Sequence, residues 1–152
     1  MISSKYMTEI LFVCSGNTCR SPMAEGLCRQ ILTDDSKYHI SSAGTSATPG
    51  EHATQEAIIA LRNRGIDISQ HSSRTLTADL IRESNFILVM CERHRQKVLG
   101  LCPEAGEKCF LLAENSDIAD PFEEGQEVYN RCAEQISEAV RIRVGEILSG
   151  II

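Results

Sequence analysis

The stretch Ile10-Leu11-Phe12-Val13-Cys14-Ser15-Gly16-Asn17-Thr18-Cys19-Arg20-Ser21-Pro22 decides how the rest of the chain is read. Its first four residues are a continuous apolar run, the signature of a strand buried on both faces. After Pro22 the apolar residues Ala24, Leu27, Cys28, Ile31 and Leu32 recur at helical spacing. The order is therefore strand, loop, helix, with Ser21 as the predicted N-cap and Pro22 at the first helical position. A helix start carries unpaired N–H groups and positive partial charge, so a loop curled over it can surround a phosphate-sized anion. Gly16 and Asn17 tolerate the backbone angles that such a curl needs.

The loop also carries chemistry. Arg20 offers a planar, two-pronged grip on two oxygens. Cys14, at the strand end, sits at the bottom of a positive cup that favours the thiolate, and Ser21 brings a hydroxyl within reach of that sulfur. Cys14 is the candidate nucleophile. Ser15, Gly16, Asn17, Thr18, Cys19 and Ser21 are the candidate phosphate-binding residues around it. A bare Cys-x5-Arg spacing occurs readily by chance in a cysteine-rich chain; the strand before it and the helix after it give it meaning.

Composition narrows the class. A chain of 152 residues with 42% hydrophobic content suits one globular domain over residues 1–152. A net charge of −6 argues against a nucleic-acid or anionic-membrane surface. No apolar run is long enough to span a bilayer, and residues 1–9 lack the apolar core of a signal peptide, so cytoplasm is the expected location. Seven cysteines, an odd number without metal-ligand spacing, predict reduced thiols and no metal or other cofactor.

Further along, strand and helix patterns alternate. Strands are predicted over 38–42, 86–90 and 108–112, and helices over 54–64, 77–83, 92–99 and 126–148, with Ile66 and Ile68 in a short extended piece. The long last helix shows Val128, Cys132, Ile136, Ala139, Val140, Val144 and Ile147 on one face. This is an α/β pattern: a single domain with a four-stranded parallel sheet, helices on both faces, and the phosphate-binding loop after the first strand. Ligands of such sheets lie beyond the carboxyl ends of the strands at a topological switch point, where the Cys14 loop emerges.

The segment CSGNTCRSPMAE from Cys14 to Glu25 resembles the signature of the low-molecular-weight protein tyrosine phosphatase family, as do Ser42-Ala43-Gly44 and Asp120-Pro121. The resemblance runs from Glu9 onward. It implies a metal-free phosphatase in which Cys14 is phosphorylated, Arg20 binds the phosphoryl group and Asp120 is the general acid, then the general base. A phosphorylated protein is the implied substrate and inorganic phosphate the product. In the family the second loop cysteine can form a reversible disulfide with the nucleophile, which makes Cys19 a candidate for redox regulation. His71 and Arg74 resemble a stretch that supports the loop. Asp117 is a flanking carboxylate able to orient the acid loop, Glu123 and Glu124 read as solvated, and His94 reads as a surface histidine.

Thr18 resembles the protein-arginine phosphatase branch, since tyrosine-directed members carry a bulkier aliphatic residue there. The 42–54 loop, with Ala47-Thr48-Pro49, and Phe122 after Asp-Pro lean the same way. Ser46, where an arginine-directed member has an aromatic, and Glu123-Glu124, in place of a glycine-rich turn, lean against it. A thiol-dependent arsenate reductase shares the anion loop and would use Cys91 next, but Cys102 is distant for that pattern and Pro22 replaces a typical glutamine. A non-catalytic phosphate-binding module is the third reading.

Overall fold

The computed structural model describes residues 7–152; the first six residues, part of the segment read for a leader, lie outside it. Four parallel strands, β1 (Thr8–Cys14), β2 (Tyr38–Gly44), β3 (Phe86–Val89) and β4 (Cys109–Leu111), form one sheet in the order β2-β1-β3-β4. Helices α1 (Arg20–Ile31), α2 (Gln55–Arg62), α3 (Ala78–Glu83), α4 (Glu92–Leu101) and α5 (Gln126–Leu148) connect and cover them, with a 3-10 turn at Pro103–Glu107.

The alternation of side chains along β1 divides the interior in two. Ile10, Phe12 and Cys14 face a layer built with Met23 and Leu27 of α1, Leu61 of α2 and Ile136 and Val140 of α5. Leu11 and Val13 face the opposite layer with Ile81 of α3 and Val98 of α4. Both faces of β1 are thus dry, as its unbroken apolar run requires. The chain leaves β1 for β2 on one side and later takes β3 on the other, so β1 and β3 flank the switch point.

Local sequence explains most boundaries. Thr54 caps α2, its hydroxyl accepting from Ala57 N, and Thr77 caps α3 in the same way through Leu80 N. Gly65, at φ +78°, turns the chain after α2. The first helix differs from expectation. It starts at Arg20 with Cys19 as N-cap and no side-chain cap, because the Ser21 hydroxyl is turned into the loop instead. Pro22 is therefore third in the helix. Ile31, predicted on the buried face, is 44% exposed at the last turn. Residues 66–68 form no strand; the side chains of Ile66 and Ile68 pack over Gly26 of α1 instead. The second strand runs on to Gly44, where a Cβ would lie 2.5 Å from the Ser15 carbonyl oxygen; only glycine lets the loop and β2 approach so closely.

Candidate active site

Residues 14–21 wrap over the start of α1, and one asparagine holds the wrap. Asn17 is wholly buried in the left-handed region at φ +58°, which Asn adopts more readily than most side chains. Gly16 is not in that region, so the curl expected of both residues falls on Asn17 alone. Its Nδ2 donates to Ser21 Oγ at 2.8 Å and to Ser42 Oγ at 2.9 Å, while its Oδ1 accepts from Arg74 N at 2.9 Å. His71 Nε2 donates to the Asn17 carbonyl at 2.7 Å. The supporting role foreseen for His71 and Arg74 is thus visible as contacts, and Ser42 passes its own proton toward Glu25 Oε1 at 2.6 Å.

Ser21 Oγ accepts from Asn17 and lies 3.0 Å from Cys14 Sγ, to which its hydroxyl is free to donate. The first-turn N–H groups of α1, which have no acceptor inside the helix, open onto the same loop as that sulfur.

Arg20 and Asp120 close the site from above. The Arg20 guanidinium is buried, donates Nη1 to the Ile118 carbonyl at 2.8 Å, and lies 3.7 Å through Nη2 from Asp120 Oδ2. The Asp120 side chain is 52% exposed, and its Oδ1 accepts from Phe122 N at 3.1 Å. Cys14, Gly16, Thr18, Cys19, Arg20, Asp120 and Phe122 line one cleft of about 170 Å³. A larger groove of about 640 Å³ runs behind the loop past Glu25, Ser42 and Arg74. Sulfur, guanidinium and carboxyl group converge only in the smaller one.

A buried cysteine, a guanidinium and a carboxyl group meet in one cleft after β1. Residues 9–147 match the model of the low molecular weight phosphotyrosine protein phosphatase family. The chain belongs to that family. This phosphatase is 35% identical to the low molecular weight protein-tyrosine-phosphatase Ptp of Acinetobacter johnsonii, covering 87% of this chain and 92% of the relative. It is 34% identical to the protein-arginine-phosphatase of Bacillus subtilis, covering 88% and 92% respectively. The solved structure of the YwlE arginine phosphatase from Geobacillus stearothermophilus superposes with a TM-score of 0.86 at 34% identity, covering 94% of each chain. The protein is a cysteine-dependent protein phosphatase, and no helix among its described residues is long and apolar enough to cross a membrane.

Several residues around the phosphatase cleft escaped the sequence reading. His94, expected at the surface, is wholly buried: Nε2 lies 2.8 Å from Ser15 Oγ and Nδ1 3.2 Å from Cys91 Sγ. Burial, then the charges of Arg20 and Arg93, push its pKa down to about 4 against the pull of Asp117 and Asp120. Its spacing to Cys91 and Val98 put it on the inner stripe of α4, a signal masked by the charged residues around it. Tyr129 is fully buried with its hydroxyl 3.2 Å from Cys19 Sγ, and it too lies on an inner stripe, with Ala133, Ile136 and Val140. Asp117 caps α4 by accepting from Glu92 N at 3.0 Å.

Burial sets the state of four further thiols. Burial raises Cys19, which is also held by Tyr129 and by the hydroxyls of Thr18 and Thr54, each 3.7 Å away. Cys28 and Cys132 are pushed up to about 12 and Cys109 to about 11, so all four are thiols rather than thiolates near neutrality.

Proposed function

We propose that this phosphatase dephosphorylates proteins through a phosphocysteine on Cys14, with phosphoarginine favoured over phosphotyrosine. The observation that carries the mechanism is the meeting of Cys14, Arg20 and Asp120 in one cleft. In the first step the Cys14 thiolate attacks phosphorus. An S–P bond forms and the P–N or P–O bond breaks, and its electron pair leaves with a proton supplied by Asp120. Arg20 and the loop N–H groups carry the charge that builds on the equatorial oxygens. In the second step Asp120, now a carboxylate, takes a proton from water as its oxygen attacks phosphorus. The S–P bond breaks, inorganic phosphate leaves and the thiolate returns.

The half-exposed Asp120 side chain suits an acid that must meet both a leaving group and water. The substrate preference rests on Thr18, which lines the cleft and gives its wall a hydroxyl where an aliphatic group would grip a phenyl ring. A flat, polar guanidine is better served by such a wall. Relatives named for each activity stand at nearly equal identity, so the preference is one of degree, worth a few kcal/mol or less. A reducing compartment such as the cytoplasm fits the seven buried, unpaired cysteines. The test is kcat/KM on matched phosphoarginine and phosphotyrosine peptides. A ratio favouring phosphoarginine is expected, and a ratio favouring phosphotyrosine by tenfold or more would reverse the assignment.

A further inference from the structure

The corner after β3 touches both halves of the active site. Met90 N donates to the Val13 carbonyl at 3.1 Å, its carbonyl accepts from Ile118 N at 2.8 Å, and Glu92 N is held by Asp117. These bonds tie the corner to the nucleophile strand and to the acid loop. One further tie reaches the anion loop itself, through His94.

We propose that His94 is a positioning residue of the phosphate-binding loop, acting through the Ser15 hydroxyl. The proposal rests on the reading of residues 14–21 as the anion site. Ser15 is the first loop residue after the candidate nucleophile, and its peptide is fixed from two sides. Its carbonyl accepts from Ser46 N at 2.9 Å, and its hydroxyl meets His94 Nε2 at 2.8 Å. With carbonyl and side chain both held, the Ser15 peptide plane loses its freedom to rotate.

The imidazole is itself locked. It is wholly buried, its other nitrogen meets Cys91 Sγ at 3.2 Å, and it sits on the helix that Asp117 caps. Desolvation and the nearby guanidinium of Arg20 keep it neutral through the working range. A neutral ring has one donor and one acceptor, and Ser and Cys can each play either part, so both tautomers preserve the Ser15 contact. The mechanism makes no use of His94 as an acid or base, and no cleft-lining atom belongs to it. Its task is geometric: to stitch the loop to the same corner that holds the acid loop.

The test is a double-mutant cycle on Ser15→Ala and His94→Phe, with His94→Gln as the conservative variant. Two readouts are taken: the affinity for inorganic phosphate, by calorimetric titration, and kcat/KM on 4-nitrophenyl phosphate. Each single change is expected to weaken phosphate binding and kcat/KM by about five- to tenfold, the scale of one lost buried hydrogen bond. The double variant is expected to be no worse than the poorer single one, because both remove the same contact. Gln, whose amide can donate or accept at the same reach, should restore values to within about threefold.

Parent-like behaviour of Ser15→Ala, or losses that multiply in the double variant, would overturn the proposal. If His94→Phe fails to fold, folded His94→Leu takes its place in the cycle with Ser15→Ala, with the same two outcomes. Phosphate affinity does not depend on which residue is phosphorylated. A failure of the Cys14 assignment, read from turnover by Cys14→Ser, is therefore distinguishable from a failure of this one.

Discussion

The two loops that meet in the cleft are held in opposite ways. In the nucleophile loop Asn17 is buried and bonded through every polar atom of its amide, Ser21 is committed to Cys14, and Gly44 lets β2 press against the Ser15 carbonyl. The acid loop is open. Asp120, Phe122, Glu123 and Glu124 are all exposed, Glu123 sits in the left-handed region at φ +66°, and the Asp120 carboxyl is held only by Phe122 N and a long approach to Arg20. The difference suits the tasks proposed for the two loops. A set of donors around a developing phosphorane works best preorganised, because no energy is then spent reorienting them during reaction. An acid that serves the leaving group and then a water must admit one after the other.

The most severe way to probe the tight loop is to remove its nucleophile and keep its frame. Cys14→Ser should lower kcat by at least about 10⁴-fold while inorganic phosphate still binds, since a hydroxyl is far less ionised than a thiol but the loop donors are unchanged. Steady-state turnover and phosphate titration measure the two halves separately. Substantial remaining turnover would strip Cys14 of its role.

On the open loop, Asp120→Asn should have an effect that depends on the leaving group. Phenolate from tyrosine, with a pKa near 10, and especially a guanidine leave poorly without a proton, whereas an activated phenol departs unaided. Phosphocysteine formation in single-turnover burst experiments should slow by about 10²-fold or more on phosphotyrosine or phosphoarginine and by less on 4-nitrophenyl phosphate. An equal loss on every leaving group would make Asp120 a loop-positioning residue and Asp117 the next acid to test.

Gly44→Ala attacks the frame without touching a reacting group. The new methyl would meet the Ser15 carbonyl at 2.5 Å and Ala47 Cβ at 2.8 Å, so either β2 or the anion loop must shift. A loss of about 2 kcal/mol in unfolding free energy is expected from the clash, with kcat/KM down by about tenfold. Urea melts and steady-state kinetics check it, and a parent-like variant would show that the loop is less rigid than its contacts.

The sequence announced the tight loop better than the open one. Strand, loop and helix were legible at residues 10–32 because apolar period, turn residues and chemistry agreed there. Four parallel strands followed from the alternation of elements, which leaves their order β2-β1-β3-β4 open. Missed features were those in which tertiary contact outweighs local pattern. Ser21 has the composition of a cap, yet its hydroxyl does better against Cys14 and Asn17 than against its own helix. His94 sits between charged neighbours that all reach solvent while it alone turns inward. Tyr129 lies beside the apolar residues by which the last helix was recognised, and nothing local links its hydroxyl to Cys19, 110 residues away.

His94 leaves a mark on acid stability. Its folded pKa of about 4 lies below the ordinary value of 6.5, so the unfolded chain takes up the proton first as pH falls. Stability present above pH 6.5 is therefore lost progressively between about 6.5 and 4, with no further loss from this group below that. Scanning calorimetry should find that Tm falls more steeply over this window in the parent than in His94→Gln. Equal slopes would mean that the imidazole protonates in the folded state as readily as in the unfolded one.

The smallest effect expected is that of Cys91→Ala, and it separates the phosphatase from a reductase built on the same loop. A thiol relay needs Cys91 and a further cysteine to approach within disulfide range, with Cα atoms less than about 7 Å apart. Cys91 stands at the N-cap position of α4 and Cys102 at its C-cap position. Eleven residues at the helical rise of 1.5 Å separate them by about 16 Å, so the pair cannot close without unwinding α4. Unwinding would also release the Asp117 cap and the His94–Ser15 contact on which the site depends. Cys91→Ala removes only one of the two contacts of His94 and leaves Ser15 in place, so phosphate-ester turnover should stay within about threefold of the parent. The same variant, assayed for thioredoxin-dependent arsenate reduction, gives the opposing outcome: reduction by the parent that disappears with Cys91 would establish the thiol relay and require α4 to open.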